Sequence, residues 1–182
     1  MRPLRRALLA VAVGGVAAAA GVGAHLWRIG SIGVRPADNA ARAILESRLT
    51  TLDGVTRTLE EFRGRILIVN YWATWCAPCR EEIPMFVRLQ QEFSGNGVQF
   101  IGIAVDQADK VLDFSREFRI NYPLFIGGID AIELSRKAGN RAGVLPYTLI
   151  LDRSGVIRAS LVGELTEARL RDQVQPLLSA PS

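Results

Sequence analysis

Two cysteines are all the chain has, and they lie three residues apart in Trp75-Cys76-Ala77-Pro78-Cys79. An apolar run ends just before them and a helical pattern begins with them. Both sulfurs therefore fall in a first helical turn on one side, close enough to close a small disulfide ring. The thiolate is the reactive form of cysteine, and the unpaired N–H groups and positive dipole end of a helix N-terminus favour it. Cys76, the more exposed N-terminal thiol, is thus the expected nucleophile, with a lowered pKa. Pro78 suits an early helical position, which needs no intrahelical N–H donor.

Other uses of a Cys-x-x-Cys pair fit less well. Structural zinc usually takes four Cys or His ligands; there is no second such pair, and the single histidine, His25, stands far upstream. Covalent haem attachment needs His directly after the second cysteine, where this chain has Arg80. A purely structural disulfide across so short a loop constrains the unfolded chain weakly. Neither a metal nor another cofactor is expected, and dithiol redox chemistry is the leading reading. A Cu(I)-holding assembly module stays open as an alternative, since soft thiolates suit Cu(I), although no added His or Met ligands support it. Peroxide reduction is weaker, because no Pro-x-x-x-Thr-x-x-Cys motif is present.

The elements that must position this pair alternate along the chain. Ile66–Trp72 is a continuous apolar run of the kind shown by a strand buried on both faces, and Val98–Val105 and Tyr147–Leu151 are similar. Between them Ile83, Phe86, Val87 and Phe93 share one helical face, and Val111, Phe114, Ser115 and Phe118 another. Strands alternating with helices predict an α/β domain around a partly parallel sheet. Asp152-Arg-Ser-Gly155 predicts an antiparallel hairpin between Tyr147–Leu151 and Val156–Val162. Thr166 is placed to N-cap a last helix that carries Leu170 and Val174 inward and ends near Pro176.

The chain has 182 residues, 49% hydrophobic and 22% charged, which excludes a disordered or disulfide-stapled protein and leaves room for one ordinary core. Its net charge of +4 comes entirely from Arg2, Arg5, Arg6 and Arg28; residues 31–182 carry 18 bases and 18 acids. No basic face for nucleic acid is implied. The leading arginines precede an uncharged run, Ala7–Ala24, of about 27 Å if helical. Residues 1–29 therefore read as a signal-anchor or signal peptide. Ala18-Ala19-Ala20 favours cleavage, whereas continuation through Leu26 and Trp27 favours an anchor through residues 7–26. Residues 30–45 read as a turn-rich tether and 46–182 as the folded domain.

Several spaced features of this chain resemble one family: Trp72-Ala-Thr-Trp-Cys-Ala-Pro-Cys79, Cys-x-x-Cys-x-x-Glu-x-Pro from Cys76 to Pro84, Thr58-Leu-Glu-Glu-Phe-Arg-Gly64, Gly143-Val-Leu-Pro146 and Asp152-Arg-Ser-Gly155. They resemble the thioredoxin superfamily and its TlpA/ResA/DsbE-like extracytoplasmic thiol-disulfide oxidoreductases, over about residues 45–178. The resemblance implies a thioredoxin-like central mixed sheet flanked by helices, with residues 109–128 as an inserted helix and strand. It implies that Leu145-Pro146 is a cis-proline loop offering backbone groups to a substrate segment beside Trp75, Ala77 and Pro78.

Glu82 follows Cys79 by three residues, so its carboxylate can approach the second thiol, and burial would fit it to accept that thiol's proton. Where thioredoxins place a buried Asp, this chain has Asn70, which cannot titrate. Trp72 and Trp75 are core or rim aromatics, with Trp75, next to the nucleophile, expected to shape the contact surface, and Arg80 is either a source of positive potential near the thiols or a solvated helix arginine. Family resemblance further implies reduction of client disulfides outside a bacterial inner membrane, with electrons from a membrane donor. The implied clients are apocytochrome c or a copper-assembly protein. The motif alone leaves a thiol oxidant open, because strong oxidants share the Cys-x-x-Cys layout.

Overall fold

The computed structural model describes residues 36–179, with side chains from residue 39 onward. The export segment expected over residues 1–29 and the first part of the tether lie outside the described residues. Among the described residues no helix is long and apolar enough to cross a membrane.

Helix α1 (Pro36–Leu45) leads into the short strands β1 (Leu49–Thr51) and β2 (Thr56–Arg57) and a 3-10 turn at Leu59–Phe62. Strand β3 (Ile66–Trp72) runs into helix α2 (Ala77–Phe93), and β4 (Val98–Ala104) into α3 (Ala108–Glu117). Strand β5 (Leu124–Ile126) precedes α4 (Gly128–Lys137); β6 (Tyr147–Leu151), β7 (Ile157–Val162) and α5 (Glu167–Ser179) complete the domain. The seven strands form one sheet in the order β2-β1-β5-β4-β3-β6-β7. Strands β3, β4 and β5 are parallel, while β6 is antiparallel to β3, and β7 to β6. This is the mixed α/β sheet of a thioredoxin-like fold, with α3 and β5 in the expected insertion.

Period-two alternation along β3 divides the core. Ile66, Ile68 and Trp72 join Ile83 and Phe86 of α2, Val111 and Phe114 of α3, and Leu170 and Val174 of α5. Leu67, Val69 and Tyr71 face the other way, into a cluster with Ile44 and Leu45 of α1 and Ala131 of α4. Asn70 falls on the α2 side by the same alternation, and this puts a buried amide under the cysteine-bearing helix. Arg171 of α5 grips both carboxylate oxygens of Glu92 of α2 at 2.6 Å, tying these two helices at the surface.

Two expected boundaries are corrected. The second part of the tether expected over 30–45 is helix α1, whose Ala40, Ala41, Ile44 and Leu45 are buried on one stripe. Pro36 suits the first position of this helix for the same reason as Pro78 does in α2. The last helix does not end near Pro176 but continues to Ser179. The proline leaves only the Asp172 carbonyl without its helical donor, and Asp172 is exposed to water. Arg153 then donates to the Leu177 carbonyl at 2.8 Å and holds the final turn. Thr166 does cap the start, its Oγ1 accepting from the Arg169 N–H at 3.3 Å.

Candidate active site

Strand β3 ends at Trp72, and a tight turn, with Cys76 N–H donating to the Ala73 carbonyl at 3.2 Å, delivers Cys76 to the N-cap of α2. The backbone of Cys76 is extended, and its carbonyl accepts the Arg80 N–H at 3.1 Å as the helix begins. Cys76 and Cys79 are joined in a disulfide with Cα atoms 5.3 Å apart. Cys76 is 6% exposed and Cys79 fully buried, so only the first sulfur can meet a partner. Trp75, 67% exposed, projects beside it, whereas Trp72 is buried against Phe114 with ring centroids 5.2 Å apart. The Arg80 guanidinium lies over the Phe114 ring, 5.8 Å from its centre.

One helical turn after Cys79, Glu82 is buried and held from two sides. Its Oε1 accepts from Asn70 Nδ2 of β3 at 2.8 Å, and its Oε2 accepts from the backbone N–H of Leu165 at 3.0 Å. Asn70 Nδ2 also donates to Thr148 Oγ1 of β6 at 3.0 Å. Burial pushes the Glu82 carboxyl up to about 7, against the lowering effect of these two donors. A carboxyl poised there can take or give a proton near neutrality.

The segment from Gly139 to Pro146 forms the facing wall. The Leu145-Pro146 peptide is cis, as the resemblance implies. Asn140 is buried, and its side chain pairs with both backbone groups of Val144: Nδ2 donates to the Val144 carbonyl at 2.9 Å, and Oδ1 accepts the Val144 N–H at 3.0 Å. Ser135 Oγ accepts a further bond from Asn140 Nδ2 at 3.0 Å. Tyr147 Oη donates to the Ala138 carbonyl, fixing the base of the loop. On the opposite side Asp106 Oδ2 accepts the Thr74 N–H at 3.0 Å and its hydroxyl at 2.5 Å, anchoring the turn that carries Trp75. Partial burial works against ionisation of Asp106, but donors from Thr74 and Gln107 outweigh it and hold the carboxyl below its ordinary value.

Between these walls lies an open cleft of about 520 Å³, lined by Trp75, Cys76, Pro78, Val105, Ile132, Gly143, Val144 and Leu145. Of the residues expected from sequence to meet a substrate, Trp75, Pro78 and Leu145 come together with Cys76. Ala77 is exposed but outside the lining, and Pro146 is buried. Val105, Ile132, Gly143 and Val144 were not anticipated, nor were the anchoring roles of Asp106 and Asn140. Val144 could have been found as the neighbour of Leu145, but polar side chains that bind backbone leave no periodic trace. A second cavity, of about 460 Å³ between β1, the end of β5 and α4, contains neither cysteine. Among the described residues no group of three or more His, Cys, Asp or Glu could hold a metal ion.

Residues 40–160 match the AhpC/TSA family. Over 132 residues the chain is 27% identical to the thiol-disulfide oxidoreductase ResA of Bacillus thuringiensis, an alignment that covers 71% of this chain and 73% of that protein. It is 30% identical to the thioredoxin-like protein YneN of Bacillus subtilis, covering 69% and 73% respectively. Among solved structures, a secreted thiol-disulfide isomerase from Corynebacterium glutamicum superimposes with a TM-score of 0.65 at 28% identity, covering 72% of this chain and 82% of that one. With a disulfide-bonded Cys-x-x-Cys pair at the head of α2 and these relatives, the chain belongs to the AhpC/TSA family of thioredoxin-like proteins and is a thiol-disulfide oxidoreductase similar to ResA.

Proposed function

We propose that the protein works outside the cytoplasm, tethered to a bacterial inner membrane by residues 7–26, and reduces disulfides of client proteins. The arginine-led apolar segment supports the location. The resemblance to the tethered TlpA/ResA/DsbE-like branch supports the reductive direction and clients of the apocytochrome c or copper-assembly type. The observation that carries the reading is the asymmetry of the cysteine pair. Cys76 opens onto an uncharged cleft, while Cys79 is sealed one helical turn from Glu82.

In the reduced protein the Cys76 thiolate attacks one sulfur of a client disulfide, forming a mixed disulfide and releasing the other client sulfur as a thiolate. Cys79 gives its proton to Glu82 and attacks Cys76 Sγ. The second client thiolate leaves, and the Cys76–Cys79 bond remains on the protein. Two electrons have passed to the client, and a membrane dithiol donor restores the pair by the same exchange in reverse. Trp75, Pro78 and Leu145 contact the client segment, and Pro146 sets the backbone of that wall.

Equilibration of the cysteine pair against glutathione, combined with a client-disulfide reduction assay, tests the direction. A potential near that of thioredoxin, roughly −270 mV, is expected; one near roughly −120 mV, as for a strong oxidant, overturns the reductase reading.

A further inference from the structure

We infer that the cleft selects client segments bearing a large apolar side chain about three residues from the reactive cysteine, seated against Ile132 and Ile129 of α4. The inference rests on the client-reduction reading above and names the substrate class of that site.

Strands β3, β4 and β5 are parallel neighbours, so their C-terminal ends share one edge of the sheet. The pairing continues past the strand ends, with Val105 N–H donating to the Trp72 carbonyl at 2.8 Å and Gly127 N–H to the Ala104 carbonyl at 2.9 Å. Three loops therefore leave side by side. The first carries Trp75 and Cys76, the second Val105, and the third opens α4. Adjacent strands lie about 4.8 Å apart, so the third exit stands roughly 10 Å from the first, the reach of about three extended residues.

At that distance α4 presents apolar side chains. Ile132 lines the cleft, and Ile129, one turn earlier on the same face, is 80% exposed. Trp75 and Val144, 67% and 41% exposed, form the near rims. Five large apolar side chains are exposed among the described residues, and these three are among them. No charged side chain lines the cleft. A Cβ placed on Gly143 would stand 2.9 Å from two nitrogens of Arg136, so this half-exposed guanidinium lies across the Gly143 rim, paired with Glu133 at 3.0 Å. An apolar client side chain leaves water for an apolar surface here. A basic one loses hydration beside a like charge, where the Glu133 carboxylate is already paired with Arg136.

Disulfide-bridged peptides carrying Leu, Ala or Lys at the third position before or after the reactive cysteine provide the test, with glutathione disulfide as a probe too short to reach α4. The reduced full-length protein should show a kcat/KM for the Leu peptide about tenfold above that for the Lys peptide, or about 1.4 kcal/mol. Ile129→Lys and Ile132→Ala should each lower that ratio at least threefold. Equal kcat/KM for Leu and Lys peptides overturns the inference while leaving the reductase reading intact, and so does a ratio that survives both variants. Failure to reduce the peptides and glutathione disulfide alike removes both.

Discussion

Glu82 supplies a prediction with both a sign and a size. Its carboxyl stands at about 7 in the folded protein against an ordinary value of 4.5, with burial as the main cause. Between these two values the folded chain holds a proton that the unfolded chain releases, so stability falls as the pH rises through the window. The difference corresponds to about 3 kcal/mol lost by the upper end.

Glu82→Gln removes the titration but carries its own cost. The site offers two donors, Asn70 Nδ2 and the Leu165 N–H, and glutamine has one oxygen for them. One donor then faces an NH2 group, a penalty of about 1–3 kcal/mol that does not change with pH. The wild-type protein should therefore be the more stable at pH 4, with the gap closing or reversing by pH 8. Urea unfolding of both oxidised proteins from pH 4 to 8 measures the gap. A difference that stays constant across that range refutes the placement of an elevated carboxyl, and a carboxyl-carbon NMR titration of wild-type Glu82 reads it without the variant.

Other outcomes follow from the same geometry. Cys79→Ser should accumulate a mixed disulfide with client through Cys76, visible by non-reducing electrophoresis; trapping by Cys76→Ser instead would reverse the roles. Asn140→Ala frees both backbone groups of Val144 and should destabilise the fold by about 1–3 kcal/mol while raising KM for peptide disulfides more than it lowers kcat. Steady-state kinetics on the folded fraction separates the two effects. Gly102→Ala puts a Cβ 2.5 Å from Leu124 Cδ2 and 3.0 Å from Trp72 Nε1 in the middle of the sheet. It should cost about 1–3 kcal/mol by overpacking, read by thermal unfolding.

The legible parts of the chain are those where burial leaves a pattern. Strands β3 and β6 are lined on both faces, so their apolar runs in the sequence coincide with Ile66–Trp72 and Tyr147–Leu151. Helices α1 and α4 are harder to see because they bury small residues: Ala40 and Ala41 in one, Ala131 and Ser135 in the other. In α1 the turn-rich residues just before Pro36 mask the start as well. Strands β1 and β2 are three and two residues long, and mostly exposed. At the site, the spacing of Cys76, Cys79 and Glu82 is local and readable. The bonds from Asp106 to Thr74, 32 residues apart, depend on a tertiary meeting that no short-range pattern reports.

The bond from Leu165 to Glu82 spans 83 positions and bears on how the protein is made. A ribosome adding about 5–20 residues per second releases Leu165 roughly 4–17 s after Glu82. Through that interval the nascent chain carries two cysteines without the bond that holds the carboxylate, and for most of it without the Val144–Leu145 wall as well. A chain stopped short of Leu165 would keep the whole Cys-x-x-Cys motif and still lack the backbone donor that holds the Glu82 carboxylate.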